Sequence, residues 1–299
     1  YPEVAKRVGI DPATEENVEF DLTNPDFVDA YFDMHHRMEA EGVDFWWLDW
    51  QQGGVTRQKG LDPLWMLNHM HYLDSGRGGN WPLTFSRYAG PGSHRYQVGF
   101  SGDTIVTWES LAFQPQFTAT ASNIGYGWWS HDIGGHMFGY RNEELEARWY
   151  QLGAFSPINR LHSSNSPFSG KEPWNFNRDV SAAMVDALRL RHAMMPYLYT
   201  MNYRAAEAGR PLVEPMCWQN PDTPDAYEVP DEFRFGTELV VAPIVSPDDA
   251  AACRGRADAW LPQGEWFDFF DGRRYVSSDA AGRRLEVWRS LDRTPVFAK

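Results

Sequence analysis

The chain has 299 residues, a formal net charge of −14 and 42% hydrophobic residues, a composition that indicates a globular protein and excludes a disordered one. Phosphates would repel so acidic a chain, so nucleic-acid binding is excluded and an enzyme acting on a neutral substrate is favoured. No apolar run reaches about 18 residues, which excludes a transmembrane helix. The two cysteines, Cys217 and Cys253, lie far apart and form neither a disulfide framework nor a metal-type spacing.

The first regular element is a helix that Asn24-Pro25 opens and Gly42 ends. Its apolar residues, which include Phe27, Tyr31 and Met34, recur at spacings of three and four. The apolar run 43–47 follows and predicts a short buried strand. Helix, glycine and strand in this order are typical of an α/β fold.

This pattern repeats along the chain as far as residue 245. The predicted strands are 43–47, 81–86, 95–100, 124–129 and 210–218, and the later helices are 62–74, 107–121, 143–155 and 179–208, the last kinked at Pro196. Five such units predict either a doubly wound parallel sheet or most of a (β/α)8 barrel. After residue 245, short strands with turn signals and no long helix predict the start of an all-β domain.

The predicted strands end in charged side chains. Asp49, Arg87 and Asp103 each follow one of three strands, and Asp132 follows a fourth. In a parallel barrel the carboxyl ends of the strands meet at one face, so these residues predict a shared site. The alternative is that each aspartate serves as an ordinary turn residue or helix cap.

The tryptophans of the chain indicate what kind of ligand this site would bind. The chain has 14 tryptophans, and eight of them lie between residues 46 and 129. A core seldom needs so many indoles because each must place an N–H, whereas a sugar-binding cleft uses them as flat platforms. Two aspartates in an aromatic cleft indicate glycoside hydrolysis, in which one carboxylate attacks the anomeric carbon and a protonated one serves the leaving oxygen. A tryptophan-rich core is the alternative.

At these residues the sequence resembles glycoside hydrolase family 31, the retaining α-glucosidase and α-xylosidase family. The matching segments, in family order, are Trp46-Trp47-Leu48-Asp49, Phe85-Ser86-Arg87 with 92–96, Phe100-Ser101-Gly102-Asp103 with Trp108, His131-Asp132-Ile133-Gly134-Gly135, 148–162 and 235–243. Each segment alone is a weak signal, but six in family order argue against a chance similarity, and the resemblance covers roughly residues 30–299.

The resemblance implies roles for individual residues. Asp49 would be the nucleophile, and Asp103 the general acid and then the general base. Arg87, Asp132 and His162 would hydrogen-bond the sugar, Trp47 and Phe100 would line its pocket, Trp50 and His136 would flank it, and Arg160 would support the His162 region. A retaining mechanism requires the two catalytic carboxyl groups to lie about 5 Å apart. The resemblance implies no cofactor and no metal.

The resemblance also implies an organisation of the chain. Residues 1–243 would be a partial (β/α)8 barrel with strands four to eight, and residues 244–299 the beginning of a C-terminal β-sandwich domain. The N-terminal domains of the same protein would then be missing, and an open half barrel on its own would be unstable or aggregate. The expected partner is a carbohydrate, with no nucleic acid and no membrane. No N-terminal targeting segment is visible, but the chain begins at Tyr1 without Met, so the location of this soluble protein stays open, with the cytoplasm favoured.

Two departures from the family pattern leave the identity of the sugar substrate undetermined. Well-known α-glucosidases follow the nucleophile with Met-Asn-Glu, where this chain has Trp50-Gln51-Gln52. They carry an aromatic residue where this chain has His136, and tryptophan where it has Phe100. The alternatives within the family are therefore an α-xylosidase, an α-galactosidase or an α-N-acetylgalactosaminidase.

Two functions of other classes remain as alternatives. A non-catalytic carbohydrate-binding relative would keep the tryptophans but lose a carboxylate, and both Asp49 and Asp103 are present. A metal-dependent hydrolase could use His69 and His71 with Asp132 and His162. Against it, the His-x-His lies in a segment of helical period, where residues two apart face different sides.

Overall fold

The computed structural model describes residues 1–49, 58–87 and 90–299. Trp50 and the departure at Gln51-Gln52 therefore lie outside the described residues. The chain divides into two compact units, Tyr1–Phe100 and Ser101–Lys299. Within the described part, no helix is both long and apolar enough to cross a membrane.

In its described residues, the first unit contains three α-helices and three strands. They are α1 (Pro2–Arg7), α2 (Pro25–Ala40), β1 (Trp46–Leu48), α3 (Pro63–Ser75), β2 (Thr84–Arg87) and β3 (Gly99–Phe100). The predicted starts of α2 and α3 are confirmed, because Asn24 and Asp62 accept hydrogen bonds from backbone N–H groups of the first turn and a proline follows each. An asparagine or aspartate before a proline thus marks both helix starts.

The strands of the first unit form a parallel sheet. Leu48 pairs with Ser86 between β1 and β2, and Arg87 pairs with Phe100 between β2 and β3. Parallel pairing brings the carboxyl ends of the three strands to one edge. Leu48 packs with Phe27 of α2 among the buried residues of this unit. The parallel α/β arrangement expected in this region is therefore confirmed.

The second unit begins with helices and ends with strands. It contains α4 (Trp108–Ala121), β4 (Trp129–Ser130), α5 (Glu143–Ala154), α6 (Arg178–Ala193), α7 (Met195–Ala208), β5 (Val213–Pro215), β6 (Phe233–Phe235), β7 (Leu239–Val241), β8 (Gly255–Leu261), β9 (Gly264–Asp268), β10 (Arg274–Ser277), β11 (Arg283–Arg289) and β12 (Val296–Ala298). The predicted helices 107–121 and 143–155 are confirmed within a residue or two.

Two predicted strands are much shorter than expected. Of the strand predicted at 95–100, only Gly99–Phe100 is a strand in the structure, because the chain makes a 3-10 turn over Ser93–Arg95. The prediction for 124–129 leaves only Trp129–Ser130, because a 3-10 turn ends at Ile124. Apolar runs of this length do not distinguish a strand from a tight turn, so their periodicity overestimates the strand.

The predicted helix 179–208 is two helices. The first ends at Ala193, Met194 caps it, and the second begins at Met195. The break precedes Pro196, which lies in the first turn of α7, where its missing N–H removes no helical hydrogen bond. The prediction placed the disturbance correctly but described a break as a kink.

The predicted fifth parallel strand, 210–218, is wrong in its pairing. Only Val213–Pro215 is extended, and it pairs antiparallel with β6, with Val213 opposite Phe235. It is the edge of a six-stranded sheet of order β10-β9-β12-β7-β6-β5. A short apolar run looks alike in parallel and antiparallel sheets, so sequence could not decide its partner. The boundary at 243/244 stays a prediction.

The centre of the six-stranded sheet, strands β7 and β12, is buried on both faces. Val241 and Val296 point to a cluster that includes residues of α5, α6 and α7. Val240 and Phe297, the next residues along the same strands, point to a second cluster with Trp260 of β8. This alternation follows from the two-residue period of a strand. Because β8 and β11 form a separate antiparallel pair, the sheet is sandwiched between helices and a second sheet.

Candidate active site

In the first unit, a carboxylate and a guanidinium meet at the carboxyl ends of neighbouring strands. Asp49 directly follows β1, and Arg87 is the last residue of β2. The Nε of Arg87 donates to Oδ1 of Asp49 over 2.6 Å. The Arg87 side chain is 14% exposed and that of Asp49 is 31% exposed, so the pair is only partly open to water. This charge-assisted hydrogen bond fixes the direction of the Asp49 carboxylate.

Aromatic rings surround this pair. The rings of Trp47 and Phe100 stack with centroids 5.7 Å apart, and Phe85 lies 5.1 Å from Phe100. The Arg87 guanidinium carbon lies 5.4 Å from the centre of the Phe100 ring. Phe100 is buried, whereas Trp47 is 47% exposed and leaves part of its ring open. An exposed indole beside a carboxylate is suited to contact the apolar face of a sugar.

In the second unit, Asp103 lies in a strained turn. Gly102 has a φ of 70° and Asp103 a φ of 24°. A positive φ is uncommon outside glycine and costs free energy that the surrounding structure must supply. The Asp103 side chain is 32% exposed. The turn therefore presents a partly open carboxylate in a conformation that an unconstrained chain would avoid.

Asp132 is the most enclosed carboxylate of the candidate site. It is fully buried, and its Oδ1 accepts a hydrogen bond from Nη2 of Arg160 over 2.5 Å. Its Oδ2 accepts from the backbone N–H of Thr104 over 3.2 Å. The Nε of Arg160 also donates to the Ser130 hydroxyl over 3.1 Å. Arg160 thus pairs directly with Asp132, a more specific role than the predicted support of the His162 region.

His136 lies between the carboxylates of the second unit. Its Nδ1 is 3.5 Å from Oδ1 of Asp103 and 3.6 Å from Oδ2 of Asp132. Its ring packs edge to face on that of His162, with centroids 4.4 Å apart. Burial lowers the pKa of His162, and the positive charge of Arg160 lowers it further. His162 is therefore held toward its neutral form, which can both donate and accept a hydrogen bond.

His131, which the family motif includes, has structural contacts. It is fully buried, its Nε2 lies 2.9 Å from the Ser156 hydroxyl, and its Nδ1 accepts from the indole N–H of Trp149 over 3.3 Å. Burial lowers its pKa to about 3. A neutral imidazole with one accepting and one donating nitrogen fits these two partners.

Sequence reasoning missed two buried charged residues beneath Asp132 and His136. Lys171 is 6% exposed, and its ammonium donates to the carbonyl oxygens of Ile133 and Gly135. Glu146 of α5 is also 6% exposed and lies against Gly134. Nothing local marks Lys171, because its partners lie more than thirty positions earlier in the chain.

The His-x-His alternative finds no support within the first unit. His69 and His71 both lie on α3, as the helical period predicted. His69 contacts the Tyr96 hydroxyl over 2.8 Å, and His71 contacts the Tyr31 hydroxyl over 2.8 Å. The two imidazoles therefore have different partners and do not converge on one point.

A second donor set, Asp132, His136 and His162, brings three ligand atoms within 4.8 Å of one another. However, both oxygens of Asp132 already accept hydrogen bonds from the protein, one of them from the guanidinium of Arg160. A cation at Asp132 would have to compete with this fixed positive charge. The donor set therefore fits a metal ion poorly.

The predicted residues thus form two groups. Asp49, Arg87, Trp47 and Phe100 come together in the first unit, and Asp103, Asp132, His136 and His162 come together in the second. Trp50 lies outside the described residues. Their assignment as catalytic or substrate-binding stays a prediction.

Comparison with known proteins places the chain in a family. The family model for the TIM-barrel domain of glycosyl hydrolases family 31 matches residues 4–201, and the model for the family's C-terminal domain matches residues 209–299. The barrel, one of the two α/β folds predicted, is therefore the fold class, and a C-terminal β domain follows it.

Two curated relatives and one solved structure illustrate the similarity. Alpha-glucosidase 2 of Bacillus thermoamyloliquefaciens is 30% identical over 74% of this chain and 27% of its own length. The alpha-xylosidase of Saccharolobus solfataricus is 29% identical over 73% of this chain and 29% of its own length. A dextranase of family 31 from Flavobacterium johnsoniae, solved with glucose, shares the fold with a TM-score of 0.79 and 23% identity over 94% of this chain and 37% of that one.

The chain spans less than a third of the length of either curated relative. The family models together account for nearly all of its residues, and the predicted family motifs fall within the same range. The chain belongs to glycosyl hydrolase family 31.

Proposed function

We propose that the complete protein is a retaining α-glycosidase of the α-glucosidase type, which acts on α-linked sugars from the non-reducing end. Membership of family 31 supports a glycosidase, and the curated relatives named alpha-glucosidase and alpha-xylosidase support the α configuration. The observation that carries the proposal is the pair of Asp49 and Arg87 at adjacent strand ends, beside the stacked rings of Trp47 and Phe100.

Asp49 is proposed as the nucleophile because it is partly exposed and oriented. Arg87 holds one of its oxygens, which leaves the carboxylate aimed by a fixed partner. A nucleophile of a retaining glycosidase must form a covalent bond to the anomeric carbon, so its orientation is part of its function. Trp47 supplies an apolar face next to it.

Asp103 is proposed as the general acid and base. In the first step, a carboxylate oxygen of Asp49 attacks the anomeric carbon, the glycosidic C–O bond breaks, and Asp103 gives its proton to the leaving oxygen. In the second step, Asp103 takes a proton from water while the water oxygen attacks the anomeric carbon. The bond to Asp49 breaks as the new C–O bond forms, and the sugar leaves with its original configuration.

Asp132, His136 and His162 are proposed to contact the sugar hydroxyls. Arg160 and the N–H of Thr104 hold Asp132, so little rotamer freedom is lost when a substrate binds. The neutral form favoured for His162 suits a hydroxyl group, which is both donor and acceptor.

Other α-glycosidases of the family, an α-xylosidase, an α-galactosidase or an α-N-acetylgalactosaminidase, are the alternatives. The alpha-xylosidase among the relatives favours the first of these. A non-catalytic carbohydrate-binding relative is a further alternative, and the presence of both Asp49 and Asp103 argues against it.

The proposal is tested by screening the complete protein against aryl α-glycosides of glucose, xylose, galactose and N-acetylgalactosamine, with NMR of the anomer formed first. Asp49→Asn should lower kcat/KM by about 10⁴-fold or more on every substrate, because the covalent step is lost. Asp103→Asn should lower it by about 10²–10⁴-fold on poor leaving groups and much less on good ones, which need no proton.

Asp26→Asn on the exposed start of α2 is the matched control and should keep the wild-type rate. Near-native turnover by Asp49→Asn would overturn the assignment of the nucleophile. An inverted first product would overturn the retaining mechanism, and binding without turnover by the wild type would favour the non-catalytic relative.

A further inference from the structure

The turn that joins Asp132 to His136 is tightly packed. Gly134 and Gly135 have φ angles of 83° and 76°, which side chains other than glycine rarely adopt. A Cβ on Gly134 would collide with the carboxylate of Glu146, and one on Gly135 would lie 2.8 Å from Cγ2 of Val106. The turn is therefore packed between α5 and the segment around Val106.

Lys171 closes this turn from beneath. Its Nζ donates to the carbonyl oxygen of Ile133 over 2.5 Å and also to that of Gly135. The backbone carbonyl of Lys171 in turn accepts from the Tyr150 hydroxyl of α5 over 2.5 Å. One ammonium group thus bridges two carbonyls that lie two residues apart, and α5 fixes the chain that carries it.

The ionisable groups around Lys171 would make the loss of its ammonium destabilising. Burial lowers the pKa of Lys171 to about 8, and the negative charges of Glu146 and Asp132 oppose that shift. Burial likewise raises the pKa of Glu146 to about 7, and Lys171 opposes this shift. Removing the ammonium would take a charged donor from two carbonyls of buried residues, and it would remove one of the two positive charges, Lys171 and Arg141, that oppose the raised pKa of Glu146.

We propose that Lys171 is a positioning residue of the candidate active site, which holds the carbonyls of Ile133 and Gly135 and thereby fixes where Asp132 and His136 stand. This inference rests on the proposed function for its catalytic consequence, but its structural part can be tested separately. His136 lies 3.5 Å from Asp103, so a displaced turn would move the groups around the proposed acid and base.

The first measurement is backbone hydrogen exchange in the complete protein. In Lys171→Met, the amides of Gly135 and His136, which now bond to Asp132 and Thr104, should exchange about tenfold faster or more, as expected for loss of a charged hydrogen bond. Amides in the middle of α5 should keep their wild-type exchange. Unchanged exchange at Gly135 and His136 would overturn the inference, whatever the enzyme's activity.

The second measurement is steady-state kinetics on the substrate that the wild type hydrolyses best. Lys171→Met should lower kcat by about 10²-fold with a smaller change in KM, because a shift of about 1 Å in a positioned group has that effect. Lys6→Met on the exposed face of α1 is the matched control and should keep both constants.

A double variant separates positioning from stability. Adding Glu146→Gln to Lys171→Met removes the acid that has lost the Lys171 charge, so most of the loss in the thermal midpoint caused by Lys171→Met should be recovered. The kcat should stay low, because the two carbonyls still lack the Lys171 ammonium. Recovery of kcat together with the thermal midpoint would show a purely structural role and overturn the inference. If the wild type hydrolyses no glycoside, the proposed function fails, and hydrogen exchange alone decides the role of Lys171.

Discussion

At the residue scale, the three aspartates that follow strands differ in exposure. Asp49 and Asp103 have side chains 31% and 32% exposed, whereas Asp132 is fully buried with both oxygens bonded to the protein. A group that reacts with a sugar must be reachable, whereas a group that organises a site is better enclosed. This difference supports the division of roles proposed above, which the spacing of aspartates in the sequence does not show.

His131 leads to a prediction about pH. Burial lowers its pKa from the ordinary 6.5 to about 3 in the folded protein. Between these two pH values the unfolded chain therefore binds a proton at this residue that the folded chain does not bind. The free energy of unfolding therefore falls as pH drops below about 6.5 and continues to fall to about 3. Between about pH 7.5 and pH 5 this residue should lower it by about 2 kcal/mol.

Urea unfolding of the wild type and of His131→Gln at both pH values measures this effect. Buried His71 also has a pKa lowered to about 3, so the wild type should lose more than the share of His131. The variant should be less stable at neutral pH but lose about 2 kcal/mol less on acidification. Equal losses in the two proteins would show that His131 is protonated in the folded state.

At the element scale, α5 connects the candidate site to the C-terminal sheet region. Its Glu146 packs under the Asp132 turn, and its Arg148, fully buried, donates to Oδ1 of Asp248 over 2.8 Å. Arg148 also donates to the carbonyls of Arg289 and Arg293 over 3.3 and 2.8 Å. One helix thus presents residues two positions apart to two different regions.

Arg148→Met should lower the free energy of unfolding by about 3 kcal/mol, because it removes a fully buried guanidinium from Asp248 and from the carbonyls of Arg289 and Arg293. Arg189→Met on α6 is the matched control: its pair with Asp186 is 3.8 Å long and largely exposed, so the change should stay below about 0.5 kcal/mol. Chemical denaturation of the three proteins measures both effects. Equal stabilities of the two variants would contradict the role of Arg148.

Elements of different length were predictable to different degrees. The start signals of α2 and α3 and the helical pattern of α5 predicted these three helices well, because a long helix carries its own signal. Strands β3 and β4 have two residues each, which is too short for a periodic signal. The partner of β5 was mispredicted because pairing depends on the rest of the sheet and not on the strand itself.

At the scale of the whole molecule, the charge of −14 leads to a prediction about salt. A neutral glycoside feels no long-range attraction to an acidic protein, so kcat/KM should change less than about twofold between about 50 and about 500 mM NaCl. An aminoalkyl α-glycoside, which is positively charged, should lose rate over the same range as salt screens its attraction. A steep salt dependence with the neutral substrate would contradict the proposed substrate class.

Local patterns and the order of short motifs were enough to identify the family, the parallel α/β character and the residues that follow the strands. The folded structure was needed to show which groups meet: Arg87 with Asp49, Arg160 with Asp132, and Lys171 with the turn before His136. These contacts join residues 28 to 38 positions apart. Only the folded backbone brings such distant residues together, because no local pattern encodes the approach of a side chain to a carbonyl from another segment.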